Sequence, residues 1–248
     1  MARGKSNCEL SVGFPFHVSN RIEPKMDERF SDHLRRIVEP LWAAQEAHPF
    51  VRGIGDGTLE TERFAHWVRQ DYRFLIDYCR LLALAAARAP DLNTMTRFSE
   101  LLHATLTTEM ELHRRTAADL GITADALERE VAGPTTRGYA DFLLRTATLG
   151  DYLELVAALT PCMWGYSELG LSLAKKPRPS NAVYAAWIDT YADPAFVELA
   201  DWCLTLLDLL ARDTSPERRQ AAEDAFVTSS QYELAFWEAV YRQETWSS

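Results

Sequence analysis

The sequence predicts an all-α protein, a helical bundle folded as one domain. Apolar residues recur at three- and four-residue spacing over almost the whole chain beyond residue 27, and strand-like alternation is nearly absent. Short segments rich in Gly, Pro, Asn and Asp separate the apolar runs, and none is long enough to be an interdomain linker. The 248 residues, 47% of them hydrophobic, suffice to bury a sizeable core.

The apolar periodicity, together with the Gly- and Pro-rich segments that interrupt it, predicts nine helices. They cover residues 27–47, 60–88, 93–119, 123–130, 136–149, 151–175, 180–190, 194–212 and 216–244. The glycine-rich segment 48–59, HPFVRGIGDGTL, predicts a loop, and its GIGDG stretch is expected to be a turn because it lacks the Lys-Ser/Thr of a P-loop. Residues 1–26 show no such pattern and predict an irregular arm ahead of an all-α domain at 27–248.

Charge and composition narrow the classes of function. The formal net charge is -10 and no basic run is present, which disfavours nucleic acid as a partner. No stretch approaches the roughly 18 apolar residues of a membrane span, and the N-terminus has no continuous apolar segment of a signal peptide. The four cysteines form no CxxC pair, so reduced thiols in a cytoplasm are the simplest interpretation.

Two carboxylates fall where the helical period demands an apolar side chain. Asp71 lies within FAHWVRQDYRFLIDYC (64–79), and Glu233 lies within FVTSSQYELAFWEAVY (226–241). A buried carboxylate is costly unless it is paired or hydrogen-bonded, so each is either a structural group with a neighbouring partner or a functional one. For Glu233, aromatic neighbours are expected to raise the pKa and make it a proton donor near neutral pH.

A cysteine and a tyrosine share an apolar face in TPCMWGYSE (160–168). Cys162 and Tyr166 are four residues apart, which places them on one side of a helix. Pro161 is expected to kink or restart this helix, and a break there would expose backbone amides that lower the pKa of Cys162. The pattern alone leaves two interpretations open, an inert core cysteine and a reactive thiol.

Weaker candidates lie elsewhere. Glu109 and His113 are four residues apart, which is compatible with a metal half-site or with a structural pair. No histidine follows His113, so the second half of the chain cannot supply an imidazole ligand, and we interpret the two as a structural pair. Ser229 and Ser230 have no assignable histidine partner, which leaves a serine triad unsupported. Taken together, one thiol and two inward carboxylates suit nucleophilic attack by a thiolate with a carboxylic acid as proton donor.

Five segments of the chain resemble the TenA family of thiaminase II and aminopyrimidine aminohydrolase enzymes. The resemblance runs from about residue 29 to residue 246 in HPFVRGIGDGTLETERFAHWVRQDYRFL, EMELHR, ALTPCMWGYSELG, WIDTYAD and FVTSSQYELAFWEAVYRQETW. It implies a heme-oxygenase-like all-α fold, a homotetramer, and hydrolysis at the C5 methylene of a 4-amino-2-methylpyrimidine. The leaving group would be ammonia or the thiazole of thiamine, with no metal or organic cofactor.

The resemblance also implies roles for individual residues. Cys162 matches the nucleophile that adds to the pyrimidine ring, and Glu233 matches the acid/base for the ring-nitrogen proton. Asp71 matches the carboxylate that binds the 4-amino group and the adjacent ring nitrogen. The matching aromatic residues are Tyr139, which stacks on the pyrimidine, and two pocket tyrosines, Tyr166 and Tyr191, the latter near the glutamate.

One residue departs from the family pattern. Members commonly carry a tyrosine three residues after the aspartate, whose hydroxyl helps to activate the cysteine, and Phe74 stands there in this sequence. Tyr78 lies one turn further along the same face and is a candidate substitute. The substitution keeps open a second hypothesis, a weakly active or non-catalytic protein that binds pyrimidines or thiamine. A metal-dependent oxidase or oxygenase on the same scaffold is a third.

Overall fold

In the computed structural model, residues 28–247 are described, and they form an all-α structure without a strand. The helices are α1 (Phe30–Ile37), α2 (Glu39–Ala47), α3 (Pro49–Asp56), α4 (Thr61–Ala87), α5 (Leu92–Ala104), α6 (Met110–Asp119), α7 (Ala124–Glu128), α8 (Pro134–Leu149), α9 (Tyr152–Ala174), α10 (Ala182–Tyr191), α11 (Pro194–Ala211) and α12 (Pro216–Tyr241). A π-helical turn, Thr105–Glu109, joins α5 to α6. The predicted arm at 1–26 lies outside the described residues.

Helix α9 lies at the centre of the bundle. It packs on α12, α11, α10 and α8, and every residue from Leu155 to Pro161 is buried. A helix that is apolar on all sides belongs inside a protein, which explains its position. Asp151 and Glu154 fix where it begins through a capping box, in which each side chain accepts a hydrogen bond from the other residue's backbone N–H at 2.9 and 3.0 Å.

Long helices flank α9 and complete the core. Helix α4 packs on α5, α8 and α6, and α12 lies against α9, α2 and α8. The buried hydrophobic side chains of these helices form one connected cluster. The interior therefore receives side chains from α4, α8, α9 and α12 at once, and these are the helices on which most of the predicted site residues lie.

Two predictions about the first part of the chain are wrong. The predicted helix 27–47 is divided at Val38, because Pro40 suits the first turn of a new helix. The predicted loop 48–59, with its GIGDG turn, is largely the helix α3, which ends at Gly57 with a φ of 78°. Its glycines serve close packing, since a Cβ on Gly55 would lie 2.7 Å from a side-chain carbon of Leu173.

The expected break at Pro161 is also absent. Residues 152–174 form one continuous helix, although Pro161 cannot donate to the carbonyl of Ala157. Thr160 donates its hydroxyl to the Val156 carbonyl at 2.7 Å in the same turn. Backbone amides near Cys162 therefore stay within the helix, and they are not released to lower the pKa of its thiol.

Candidate functional site

The seven predicted site residues come from five helices that meet in the interior. Asp71 and Phe74 lie on α4, Tyr139 on α8, Cys162 and Tyr166 on α9, Tyr191 on α10 and Glu233 on α12. Six of them are buried, and Cys162 is partly accessible although it lies on the central helix. An accessible side chain deep in a bundle indicates an internal cavity in front of it.

The thiol of Cys162 and the carboxyl of Glu233 form a coupled pair. The two groups lie close enough that their interaction raises the pKa of the thiol and lowers the pKa of the carboxyl. Burial, followed by the charges of Glu233, Asp71 and Glu109, raises the pKa of the Cys162 thiol well above its usual value. Burial also raises the pKa of the Glu233 carboxyl to about 8, even though the hydrogen bond from Tyr139 opposes that shift. Between these two pKa values the proton lies on sulfur, with Glu233 beside it as an acceptor, and below a pH of about 8 the carboxyl is protonated as well.

A chain of hydrogen bonds leads from Glu233 to the backbone of α9. The Tyr139 hydroxyl lies 2.6 Å from Oε1 of Glu233 and 2.8 Å from the Ser229 hydroxyl. Ser229 in turn donates to the carbonyl oxygen of Ala158 at 2.7 Å. When Glu233 is ionised, Tyr139 donates to it. When Glu233 is protonated, it can donate to Tyr139, Tyr139 to Ser229, and Ser229 to the Ala158 carbonyl, so every hydroxyl in the chain then both donates and accepts.

Asp71 is held by a histidine. Its Oδ2 lies 2.6 Å from Nε2 of His113, whose Nδ1 lies 3.1 Å from the backbone oxygen of Glu109. Burial alone lowers the pKa of His113, but the hydrogen bond and charge of Asp71 raise it overall. Because both ring nitrogens face acceptors, the imidazolium form satisfies both, and Asp71 is a paired carboxylate. Within residues 28–247 its Oδ1 accepts no hydrogen bond, which leaves that atom for a ligand.

Aromatic rings cover one side of the site. The Phe74 ring stacks on Tyr139 with a centroid distance of 5.0 Å and on Tyr78 at 5.7 Å. Tyr139 also stacks on Tyr232 at 5.2 Å. Among residues 28–247 the buried Tyr78 hydroxyl has no hydrogen-bond partner, and burial, followed by the charge of Cys162, raises its pKa well above the usual value. Tyr78 is thus within electrostatic range of Cys162 without a hydrogen bond to it.

The remaining two tyrosines form a second aromatic group with tryptophans. Tyr166 and Tyr191 have ring centroids 4.8 Å apart, and Trp187 lies 4.7 Å from Tyr191. The tyrosine that hydrogen-bonds Glu233 is Tyr139, whereas the sequence resemblance places Tyr191 near that glutamate. Burial and then the charge of Glu109, ahead of the other carboxylates, raise the pKa of Tyr191. Among the charged groups of the site, Glu109 therefore has the strongest electrostatic effect on the pKa of Tyr191.

Sequence reasoning missed three residues of this arrangement. His113 and Glu109 were expected to be a structural pair, but the imidazole of His113 contacts only the backbone of Glu109 and binds Asp71 with its side chain. Ser229 draws notice in the sequence only as an unsupported triad serine, and it proves to be the second member of the Glu233 hydrogen-bond chain. Like Asp71 and Glu233, these three residues are polar side chains at inward positions of helices. That pattern is the sequence signal that could have identified them.

The described residues provide neither a metal-binding cluster nor a membrane-crossing helix. No group of three or more His, Cys, Asp or Glu side chains in residues 28–247 has an arrangement that could hold a metal ion. Over the same residues, no helix has the length and apolar character that crossing a membrane requires.

Sequence comparisons give close relatives over most of the chain. The model of the TENA/THI-4/PQQC family matches residues 35–243. The aminopyrimidine aminohydrolase of Halalkalibacterium halodurans is 43% identical over 219 residues, which cover 88% of this chain and 98% of that protein. The enzyme of the same name from Bacillus subtilis is 36% identical over 88% of this chain and 92% of that protein.

Solved structures agree with the fold. A TenA family transcription regulator from Silicibacter sp. TM1040 superposes with a TM-score of 0.79 and 33% identity, covering 86% of this chain and 96% of that one. A domain of unknown function with a heme oxygenase-like fold from Shewanella denitrificans has a TM-score of 0.66 and 12% identity, over 85% of this chain and 91% of that one. These likenesses confirm the predicted heme-oxygenase-like, all-α fold.

Proposed function

The chain belongs to the TENA/THI-4/PQQC family, and we propose that it is a hydrolase of 4-amino-2-methylpyrimidines substituted at the C5 methylene. Relatives at 43% and 36% identity are named aminopyrimidine aminohydrolase and are covered almost to their full length. The observation that carries the proposal is the coupled Cys162–Glu233 pair opposite Asp71, which supplies a nucleophile, a proton carrier and a carboxylate for an amidine-like ring.

The three polar groups match three parts of such a ring. We place the 4-amino group and its adjacent ring nitrogen at Asp71, whose Oδ1 accepts no hydrogen bond from residues 28–247 and suits a donor. The other ring nitrogen then faces Glu233, and the carbon beside it faces Cys162. The pyrimidine lies against the aromatic rings, among which Phe74 and Tyr139 are stacked and Tyr166 and Tyr191 lie on the second aromatic group.

In the first half of the reaction, one proton moves from sulfur to the ring. Glu233 accepts the thiol proton of Cys162, and the thiolate adds to the ring carbon as Glu233 passes the same proton to the ring nitrogen. Addition removes the aromaticity of the ring. The lone pair of the 4-amino group then expels the C5 substituent with the electrons of its bond, leaving an exocyclic methylene and a cationic amidine that Asp71 stabilises.

In the second half, water completes the hydrolysis. Water adds its oxygen to the exocyclic methylene and loses a proton to the released ammonia or to solvent. The C–S bond then breaks with its electrons on sulfur, and the ring nitrogen returns its proton through Glu233 to the thiolate of Cys162. A carboxyl with a pKa of about 8 suits both directions of transfer, because it is neither a permanent anion nor a permanent acid near neutral pH.

From the family resemblance and the composition, we infer that the enzyme is a cytoplasmic homotetramer that uses no metal or organic cofactor. We infer also that it accepts aminomethylpyrimidine, thiamine or both. The second candidate, a weakly active or non-catalytic protein that binds pyrimidines or thiamine, is favoured by Phe74, which lacks the hydroxyl expected beside the cysteine.

Product analysis with purified protein tests the proposal. We expect conversion of 4-amino-5-aminomethyl-2-methylpyrimidine to the hydroxymethyl compound with release of ammonia, and loss of at least a thousandfold in kcat for Cys162→Ser. Cys79→Ser is the matched control, because that buried thiol has a pKa raised to about 11 chiefly by burial and lies outside the proposed machinery. Binding without turnover by the unaltered protein would select the second candidate, and full activity of Cys162→Ser would remove Cys162 from the mechanism.

A further inference from the structure

Glu109 is a carboxylate that the proposed mechanism does not use. It ends the π-helical turn at residues 105–109, and π-helical turns are frequent at functional sites. Its side chain is mostly buried, and within residues 28–247 its carboxyl makes no hydrogen bond and no ion pair. Since an unpaired carboxylate in a mostly enclosed position is costly, the site lacks a partner for this group that a bound molecule could supply.

Glu109 lines a cavity that borders the central helix near the site. The cavity has a volume of about 570 Å³ and is lined mainly by the π-helical turn, the start of α6 and the start of α11. Met163 also lines it, and Met163 is the residue that follows Cys162 on α9. The cavity therefore opens beside the part of α9 that carries the nucleophile, on the Glu109 side of the bundle.

The electrostatic neighbours of Glu109 place it beside the reacting end of the site. Burial raises its pKa to about 7, the nearby His113 opposes that rise, and Asp71 adds to it. Its charge in turn raises the pKa values of Cys162 and Tyr191. In the proposed pose the C5 substituent projects between the ring carbon at Cys162 and the amino group at Asp71, so Glu109 is close to both groups that flank the substituent.

We propose that Glu109 binds the ammonium of the C5 aminomethyl group and so selects substrates with a cationic amine at that position. The proposal rests on the proposed function and deepens it. A primary ammonium has three donors and one positive charge, which suits an unpaired carboxylate at the mouth of a largely apolar cavity. The two carboxylates on this side, Asp71 and Glu109, lie near the single positive charge of His113. Asp71 forms the ion pair with His113 at 2.6 Å, so within residues 28–247 Glu109 keeps a negative charge that no ion pair neutralises.

Calorimetric binding to Cys162→Ser protein tests this assignment without turnover. The two ligands are 4-amino-5-aminomethyl-2-methylpyrimidine, which is cationic, and its 5-hydroxymethyl analogue, which is neutral and of nearly the same size. Adding Glu109→Gln is expected to weaken the cationic ligand at least tenfold and the neutral ligand less than twofold, and Glu109→Asp is expected to restore part of the difference. Glu111→Gln is the matched control, since Glu111 lines the same cavity but is paired with Arg115 at 3.2 Å.

The binding data distinguish a failure of the role of Glu109 from a failure of the proposed function. An equal loss for both ligands, or no loss for either, would overturn the role of Glu109 while leaving the proposed function intact. If neither pyrimidine binds the Cys162→Ser parent, the proposed function and the role of Glu109 both fail. In the wild-type enzyme, Glu109→Gln should raise KM for the aminomethyl substrate by the same factor as it raises the dissociation constant, with a smaller change in kcat.

Discussion

The Tyr139 hydroxyl lies 2.6 Å from Oε1 of Glu233 and orients a carboxyl that also interacts with the Cys162 thiol. Tyr139 is itself fixed by Ser229, which is anchored to the Ala158 carbonyl. Helices α8, α9 and α12 are thereby joined through hydroxyl groups at the point where the proton transfer is proposed.

Removing the Tyr139 hydroxyl should shift the pH dependence of the reaction. The hydrogen bond from Tyr139 lowers the pKa of Glu233, so Tyr139→Phe should raise that pKa by about one unit and reduce kcat/KM at pH 7 about tenfold. Ser229→Ala should shift the profile in the same direction by a smaller amount. Tyr232→Phe is the control, because its ring stacks on Tyr139 but its hydroxyl forms no hydrogen bond in the described part of the chain. Identical pH profiles for Tyr139→Phe and wild type would contradict the chain.

On the acid side of its pH profile, kcat/KM should depend on the protonation of the Cys162 thiol and the Glu233 carboxyl. The mechanism needs one proton shared by Cys162 and Glu233, and the pair acquires a second proton below the Glu233 pKa of about 8. We therefore expect kcat/KM to rise with pH up to about 8 and then to level off. Glu109, with a pKa of about 7, should add a second step on the acid side that disappears in Glu109→Gln. A profile that is flat between pH 6 and pH 9 would be incompatible with both assignments.

The raised pKa of Glu233 predicts that the free energy of unfolding is smaller at high pH than at low pH. The folded pKa of Glu233 lies above its unfolded value of about 4.5, so folding is favoured by the proton at low pH and loses this contribution as pH rises through about 8. Glu233→Gln should then increase the free energy of unfolding by about 2–4 kcal/mol at pH 9 and by almost nothing at pH 4.5. Urea denaturation of wild type and variant at the two pH values measures this difference, and a gain that is equal at both would show a packing effect instead.

Restoring a hydroxyl at position 74 should increase turnover. Phe74 stacks on Tyr139 and Tyr78. Within the described part of the chain the Tyr78 hydroxyl has no hydrogen-bond partner, so nothing indicates that it replaces the missing hydroxyl contact. We expect Phe74→Tyr to raise kcat about tenfold, with a smaller change in KM. Phe236→Tyr is the control, since that buried ring lies 6.3 Å from Phe74 in the same aromatic group. A rate for Phe74→Tyr no higher than wild type would mean that the hydroxyl is dispensable here.

Inward carboxylates could be found from the sequence because the helical period shows which positions are buried. Asp71 and Glu233 were found in this way, and the structure leaves them 5% and 3% exposed. Their partners could not be found so easily. His113 is 42 residues from Asp71, and Tyr139 is 94 residues from Glu233, so only the packing of helices brings each pair together.

Local conformation was predicted less well where tertiary packing overrides propensity. Gly53 and Gly55 favour a loop by composition, but α3 uses their missing side chains to approach Leu59 and Leu173. Pro161 disfavours a helix interior, yet α9 continues through it because the helix is buried on all sides. The predicted helix 93–119 was right in extent and did not reveal the π-helical turn, since a one-residue change in hydrogen bonding leaves almost no trace in the apolar period.

That turn makes the spacing of the chain as important to the site as the residues themselves. A π-helical turn carries one residue more than an α-helical turn, and each residue of an α-helix rotates the chain by about 100°. Because the π turn fits its extra residue into about the same rotation, it keeps α5 and α6 facing the interior together. If Thr105–Glu109 were wound as a regular α-helix of the same length, every side chain beyond it would be turned by roughly one residue's rotation relative to α5. Glu109 and His113 would then lose their inward direction together, although neither residue had been changed.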